Sequence, residues 1–297
     1  MSSTRLPRIN CIRWSSPNRM FLCFGVASTS RPIRCAASAS AAKRRRNGRD
    51  MKRWPHLEAE RVLDDQIRSW WFAGKRTIFD ALFRGRIPAS ARILDVGAGQ
   101  GLFVNHLAGP RRVVAVDEWW QCLERNRQRG GLPVGGDATQ LPVRGDSCDY
   151  LFALDVLEHL PDDDAAIKEW ARVLKPDGRM VINVPALDCL WSPHDERMGH
   201  YRRYDRKKLA GVLERNGMVC ERLAYSNFCL FPFAWLSFKL NLYHGSNANP
   251  EAHVPVAKPI LWIIQFCYRM EAAWIRNFSF PFGGSLIAIA RKTQSSR

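Results

Sequence analysis

Aspartate and glutamate are absent from the first 49 residues, which carry eleven of the 45 lysines and arginines in this 297-residue chain. The formal charge of +17 is therefore unevenly placed. Setting that segment aside leaves 34 basic residues against 28 acidic ones, an ordinary solvated surface and no signal for DNA or RNA. The nine cysteines include no C-x-x-C pair and no Cys/His group at metal-ligand spacing, so the sequence calls for no metal. Cys11, Cys23 and Cys35 fall in the N-terminal stretch. Cys148, Cys220 and Cys229 sit in strand-like or apolar runs and read as buried free thiols of a reducing compartment. No apolar run reaches the roughly 20 residues of a bilayer span. Lys239 interrupts residues 228–240, and residues 260–268 are too few. A hydrophobic content of 46% nevertheless supports a sizeable core, in one large domain or two small ones.

What is present is a series of short apolar strands that close on acids. Ile93, Leu94, Asp95 and Val96 run into Gly97-Ala98-Gly99-Gln100-Gly101, a glycine turn with a helix opening after it. Such a turn brings backbone N–H groups close to a ligand, with no Cβ in the way. A dinucleotide site has the spacing G-x-G-x-x-G, whereas here the spacing is G-x-G-x-G and Leu102 follows. A second strand, 112–117, ends at Asp117, 20 residues after Gly97, where a carboxylate can accept from ribose hydroxyls. Gly136-Asp137-Ala138 follows a weak third strand near 133–134. The fourth strand, 149–154, leads into Asp155-Val156-Leu157-Glu158-His159.

In order and spacing, D-x-G-x-G-x-G, the strand-end Asp117, G-D-A-x-x-L-P and A-L-D-V-L-E-H-L resemble the class I S-adenosylmethionine-dependent methyltransferases, over about residues 66–292. The resemblance implies an α/β, Rossmann-like, doubly wound sheet of seven mostly parallel strands, the last one antiparallel. It implies S-adenosylmethionine as cofactor. Gly97, Gly99 and Gly101 would hold its methionine end, with Asp95 near the amino group. Asp117, with Glu118 beside it, would take the ribose. Asp137 would take the adenine amine, with a backbone N–H from Ala138, and Asp155 belongs to the same set. Residues 54–86 look helical and would fold over the cofactor. Their W-W-F-x-x-K-R pattern resembles the start of one bacterial branch, in which Arg76 would meet the cofactor carboxylate; a solvated Arg76 is the plain alternative.

The chain divides into five segments. Residues 1–49, rich in Ser, Arg and Ala, have the composition of an organelle transit peptide. Ile33-Arg34-Cys35-Ala36 resembles a chloroplast processing site, which favours plastid over mitochondrion; Lys43-Arg44-Arg45-Arg46 could instead be a nuclear signal. Residues 50–90 form the helical segment, 91–227 the methyltransferase core, 228–282 an apolar helical insert and 283–297 the last strand and tail. Strand and helix alternate through the core, as in a parallel sheet. Strands are expected at 92–96, 179–184 and 219–224. Helices are expected from Gly101 to about Leu107, ending at Gly109-Pro110, and after Asp162, Asp163 or Asp164 with Ile167, Ala171 and Leu174 inward. Lys175-Pro176-Asp177-Gly178 reads as a turn. Asp205 caps a helix with Leu209, Val212 and Leu213 inward, ending at Asn216-Gly217.

A block dense in His, Arg and Tyr, residues 190–204, follows the fifth strand, beyond whose carboxyl end ligands of open α/β sheets bind. It resembles an L-W-S-x-H-D-x-x-x-G-H-x-R-R-Y signature of the same branch. Trp191, Tyr201 and Tyr204 could orient an acceptor. Arg202 and Arg203 could hold its phosphate or carboxylate, or be solvated. His194, His200 and His159 are candidate bases for an acceptor proton, a task that suits a group titrating near neutrality. Each could equally be structural. The insert reads either as a cap over the acceptor pocket or as a membrane-interface segment through 228–270. The absence of an Asn-Pro-Pro-Tyr or Asp-Pro-Pro-Tyr motif after strand four argues against amino-methylation of nucleic acid. The expected partner is a small, hydrophobic or lipid-linked acceptor. A non-catalytic protein that keeps the cofactor site, and a nicotinamide-dependent oxidoreductase, are the rival readings.

Overall fold

A computed structural model of the chain describes residues 69–108, 113–232, 235–236 and 257–293. The proposed transit segment, the start of the helical segment, the Gly109-Pro110 stop and much of the apolar insert lie outside those residues. Helix α1 spans Trp70–Phe83, and Ser69 caps it by accepting a hydrogen bond from the Trp71 N–H at 3.2 Å. Strand β1 (Ile93–Val96) precedes α2 (Val104–Ala108), and β2 (Val113–Asp117) precedes α3 (Trp120–Gln128). Strands β3 (Leu132–Gly135) and β4 (Cys148–Leu154) come next, then α4 (Asp163–Val173), β5 (Leu174–Pro185) and α5 (Pro193–Met198). Helix α6 (Arg206–Arg215), β6 (Met218–Ser226), α7 (Lys258–Ile275) and β7 (Ser285–Lys292) complete the order.

The seven strands form one sheet in the order β3-β2-β1-β4-β5-β7-β6. Strands β3, β2, β1, β4 and β5 run parallel, and β7 is antiparallel to both β5 and β6. Strand order reverses at β1 and β4, the switch point at which such sheets open a crevice. The β strands alternate between two apolar layers, because successive side chains point to opposite faces. Leu94, Val96, Leu151 and Ala153 join the layer that holds Ile167 and Trp170 of α4 and Leu213 of α6. Ile93, Val113, Phe152 and Val181 join the layer formed with Ile78 and Phe79 of α1 and Tyr268, Ala272 and Ile275 of α7.

Most element bounds agree with the pattern of the sequence, and the departures have local causes. Helix α2 starts at Val104 rather than Gly101, because Gly101 has φ 74, a left-handed conformation outside any right-handed helix. Asp162 caps α4 through the Ala165 N–H at 2.9 Å. Leu174 is buried but begins β5 rather than lining the helix. The Lys-Pro-Asp-Gly turn falls within β5 as a break in register, where Cys148 pairs with Leu174 and Tyr150 already with Arg179.

The described part of the insert is held down by one helix. A Cβ on Gly74 of α1 would meet the Tyr268 ring of α7 at 2.1 Å, so the two helices touch with no room for a side chain. Glu271, buried in α7, accepts hydrogen bonds from the Asn227 N–H and, at 3.1 and 3.4 Å, from the Phe228 and Cys229 N–H groups. These tie the end of β6 to α7. No described helix is long and apolar enough to cross a membrane.

Burial pushes the Glu271 carboxyl up to about 7 against the partial opposition of those three N–H groups. A folded-state value above the unfolded one means that the native state holds the proton more tightly. The associated stabilisation is complete below the unfolded value of 4.5 and is lost as pH rises through about 7. Glu271→Gln, which cannot titrate, should flatten the decline in unfolding free energy between those limits. Denaturant curves with the same slope against pH in both proteins would show that Glu271 does not carry it.

Candidate active site

The glycine turn forms where β1 ends, beside the last residues of β2. The Gly97 and Ala98 N–H groups donate to Val116 O at 2.8 and 3.1 Å, which sets the turn against the neighbouring strand. Gly97, Gly99 and Gly101 all have positive φ, at 64, 50 and 74, where a side chain is strained. A Cβ on Gly97 would strike Val156 at 2.5 Å, and one on Gly101 would strike Asn105 at 2.4 Å. Above Gly99 no atom lies within 4 Å of that position, so the turn is packed at both ends and open in the middle.

Four carboxylates surround this opening. Asp117 Oδ2 accepts from the Gly99 N–H at 2.9 Å and Oδ1 from the Trp119 N–H at 2.8 Å. Asp137 Oδ1 accepts from the Thr139 N–H and hydroxyl at 2.7 and 2.6 Å. Burial raises the Asp95 carboxyl well above its usual value, and the neighbouring Asp117 adds to the rise. Burial also raises Asp117, against hydrogen bonds from Trp119, Gly99 and Glu118. Glu118 is raised by burial and then by the charges of Asp137 and Asp117. Acids whose charges raise a neighbour's pKa, as Asp117 does for Asp95 and Glu118, favour a cation or a set of donors beside them. S-adenosylmethionine, with its sulfonium, ammonium, ribose hydroxyls and adenine amine, is such a partner, and the space over Gly99 is open. Ala138 lies alongside, its carbonyl accepting from Trp170 Nε1 at 2.8 Å.

Asp155 stands at the end of β4 with φ 58, a strained conformation for an aspartate and one that collects at functional sites. Its Oδ1 accepts from Asn183 Nδ2 at 2.6 Å, and its Oδ2 pairs with Lys75 Nζ at 2.5 Å. Lys75 is buried, with its ammonium 5.4 Å from the Trp71 ring centroid. Arg76 does not share this placement. It is exposed on the side of α1 that meets α7, near Gln265 and Arg269. The basic residue that α1 brings to the strand ends is thus Lys75.

The block after β5 is built around Asp195, which is fully buried. Ser192 and Asp195 form a reciprocal cap at the start of α5. Arg203 grips the carboxylate with two bonds, Nε to Oδ1 at 2.8 Å and Nη2 to Oδ2 at 2.9 Å, and donates through Nη1 to Ala186 O at 3.1 Å. His200 Nδ1 lies 2.8 Å from Asp195 Oδ1. Burial alone would raise Asp195, but the hydrogen bonds from His200 and Arg203 and the guanidinium charge outweigh it and hold the carboxyl well below its usual range. The anion therefore fixes the imidazole, with Nδ1–H as donor to the carboxylate.

This arrangement divides the candidate acceptor residues. Arg203 and Tyr204 are buried scaffold: Arg203 is committed to Asp195, and the Tyr204 hydroxyl donates to Asp163 Oδ2 at 3.0 Å. Arg202 donates to Pro161 O at 2.6 Å and pairs with Asp163 Oδ2 at 3.1 Å, which removes it from the role of an anion clamp. Trp191 and Tyr201 stay exposed, and the Tyr201 N–H ties the block to Glu158 O at 2.8 Å. The three histidines converge: His159 and His200 ring centroids are 4.6 Å apart, and His194 is 6.1 Å from His200. Glu158, buried beside them, has an Oε2 with no hydrogen-bond partner. Burial raises its carboxyl well above the usual value, with Asp155 adding to the rise. Sequence reasoning gave no role to Lys75, Glu158, Asn183 or Asp195. Only the motif letters around Lys75, Glu158 and Asp195 hinted at them.

Residues 94–182 match the family model described as a methyltransferase domain. Those residues carry a methyltransferase domain, and a probable S-adenosylmethionine-dependent methyltransferase of Mycobacterium tuberculosis is 29% identical over 170 residues, 55% of this chain and 61% of its own length. The biotin biosynthesis bifunctional protein BioHC of Cellvibrio japonicus is 29% identical over 215 residues, which cover 67% of this chain and 43% of that protein. A demethylmenaquinone methyltransferase of Mycobacterium sp. is 37% identical over 92 residues, 31% of this chain and 40% of its own length. The chain spans about half the length of the curated relatives it matches. Among solved structures, a SAM-dependent methyltransferase of Thermotoga maritima superposes with a TM-score of 0.51 at 16% identity, covering 77% of this chain and 94% of that one. The cyclase SpnF reaches 0.51 at 20% identity, over 76% and 83%. At such identities these likenesses speak to the fold.

Substituting Asp117 by Ala removes a charged acceptor, and each hydrogen bond to such a group is worth about 1.5–3 kcal/mol. Calorimetric affinity for S-adenosylmethionine should fall by roughly tenfold or more. Undiminished affinity would detach Asp117 from the ribose.

Proposed function

We propose that this protein transfers the methyl group of S-adenosylmethionine to a small, hydrophobic or lipid-linked acceptor. The observation that carries the reading is the meeting, at one edge of the sheet, of an open glycine turn ringed by four carboxylates and a histidine cluster held by a buried anion. The bound cofactor supplies an electrophilic methyl group on a positively charged sulfur. The residues of the chain supply alignment, which is the larger part of what an in-line displacement needs. The glycine turn and Asp95 would hold the methionine end, while Asp117, Glu118 and Asp137 would fix the nucleoside. Asp155, strained and braced by Lys75 and Asn183, lies near enough for its charge to act on Glu158 and His159. A proton released by a hydroxyl or amine acceptor would leave through the His159–His200 cluster.

Two observations favour an apolar acceptor. One relative is a demethylmenaquinone methyltransferase. Helix α7 also presents Ile260, Trp262, Ile263, Phe266, Met270 and Trp274 to solvent, with Lys258, Arg269 and Arg276 exposed around them. Its sole acid, Glu271, is buried. An apolar face bordered by tryptophan and cations fits a membrane interface, where the acceptor would be held. The neighbour SpnF shows that the fold by itself does not dictate methyl transfer, so the activity must be measured directly.

With labelled S-adenosylmethionine, purified protein should label a component of a plastid lipid extract and leave bulk RNA unlabelled. Label in RNA and none in lipid would end the reading. In a separate measurement, the protein should float with anionic phospholipid vesicles, and a Trp262→Ala/Phe266→Ala double variant should stay behind. Equal flotation of both proteins would free α7 of that role.

A further inference from the structure

The histidine cluster offers more than proton acceptors. One carboxylate oxygen of Glu158 and one ring nitrogen each of His159 and His200 lie within 4.8 Å of one another. Each group arrives with its other polar contacts already arranged. The His200 Nδ1–H is taken by Asp195 at 2.8 Å, which leaves Nε2 with its lone pair. The His159 ring is hydrogen-bonded to the Met198 backbone, which leaves it one nitrogen. Glu158 is buried to within 1% of full enclosure, and its Oε2 has no partner. A buried carboxylate oxygen without a donor is costly unless something positive sits against it.

We propose that Glu158, His159 and His200 form a binding site for a single divalent transition-metal ion, Zn2+ being the ion best matched to the donors. Two imidazoles and one carboxylate make a donor set that suits zinc and the neighbouring first-row ions. Mg2+ and Ca2+ take oxygen ligands and are poorly served by two nitrogens. With His159 and His200 held by their outer contacts, a small shift of Glu158 and of the chain around the pair would draw the three ligand atoms around an ion at metal–ligand bonds of about 2.0–2.2 Å. The surroundings have the form such sites take. Metal-bound histidines donate their second nitrogen to a carboxylate or a backbone carbonyl, as His200 does to Asp195 and His159 to Met198. Arg203 and Ser192 then hold Asp195, so His200 is aimed by a chain of fixed contacts. Three protein ligands leave a coordination position open. With the ion bound, His159 and His200 would hold metal in place of a proton, and an acceptor hydroxyl seated at the ion would pass its proton to water, because the ion stabilises the oxyanion.

The site stands apart from the methyl-transfer reading, because ion binding can be measured with no cofactor present. Full-length protein stripped with chelator and dialysed would be titrated with Zn2+ by calorimetry and with Co2+ by visible absorption. The expected result is one ion per chain, with Co2+ bands of a nitrogen- and oxygen-ligated site. Glu158→Gln and His200→Ala should each weaken the affinity at least tenfold. Asp195→Asn, which alters only the support of His200, should weaken it by roughly 10- to 100-fold. Thermal unfolding of each variant checks that it is folded. A wild-type protein that binds neither ion saturably, or folded Glu158 and His200 variants that bind as the wild type does, would overturn the proposal. The same results would leave the Asp117 and lipid-labelling experiments untouched.

Discussion

The parallel register of β1, β2 and β4 is the constraint on which the rest of the molecule depends. Asp95 pairs with Ala115 on one side and Phe152 on the other, and Val96 with Val116 and Ala153. This in-step alignment brings the ends of three strands to one line, so that the glycine turn, Asp117 and Asp155 share an edge. A slip of one residue would turn each acid to the opposite face and bury it among the apolar side chains. The register is held by the core itself, because Leu94, Leu151 and Met180 fill one layer and Ile93, Phe152 and Val181 the other.

The second organising element is an anion that solvent does not reach. Asp195 would be a liability without partners, since a buried charge is tolerated only when it is paired and hydrogen-bonded. Arg203, His200 and Ser192 supply those partners, and through them one carboxylate fixes the cap of α5, the course of the chain to Tyr204 and the aim of an imidazole. Tyr204 then anchors the far end of the block on Asp163 of α4. Arg202, Arg203 and Tyr204, which read as acceptor ligands in the sequence, are thus spent on holding this block in place.

Much of the fold was legible in the sequence because strand and turn signals are local. Apolar runs closing on Asp95, Asp117 and Asp155, and caps at Asp162 and Asp205, need no tertiary knowledge. The acids proposed for the cofactor were legible for the same reason: Asp117 closes β2, and Asp95, Asp137 and Asp155 lie in or just beyond neighbouring parallel strands. What failed depended on rotation and on distant contact. Arg76 and Lys75 are adjacent, yet a helix turns by about 100° per residue, so the tertiary packing of α1 decides which of them faces the strand ends. The histidine pair joins a turn after β4 to the segment after α5, and no spacing rule links such remote stretches. Glu158 was hidden by its own type, because an acid is ordinarily solvated and only the structure shows it enclosed.

The close fit of Tyr268 over Gly74 has a spatial consequence. Helix α1 reaches the site through Lys75 and Asp155, while α7 carries the exposed aromatic surface and, through Glu271, grips the chain leaving β6. At that point the two helices are in direct contact, so the side chain that seats the outer aromatic helix lies one residue from the lysine that braces Asp155.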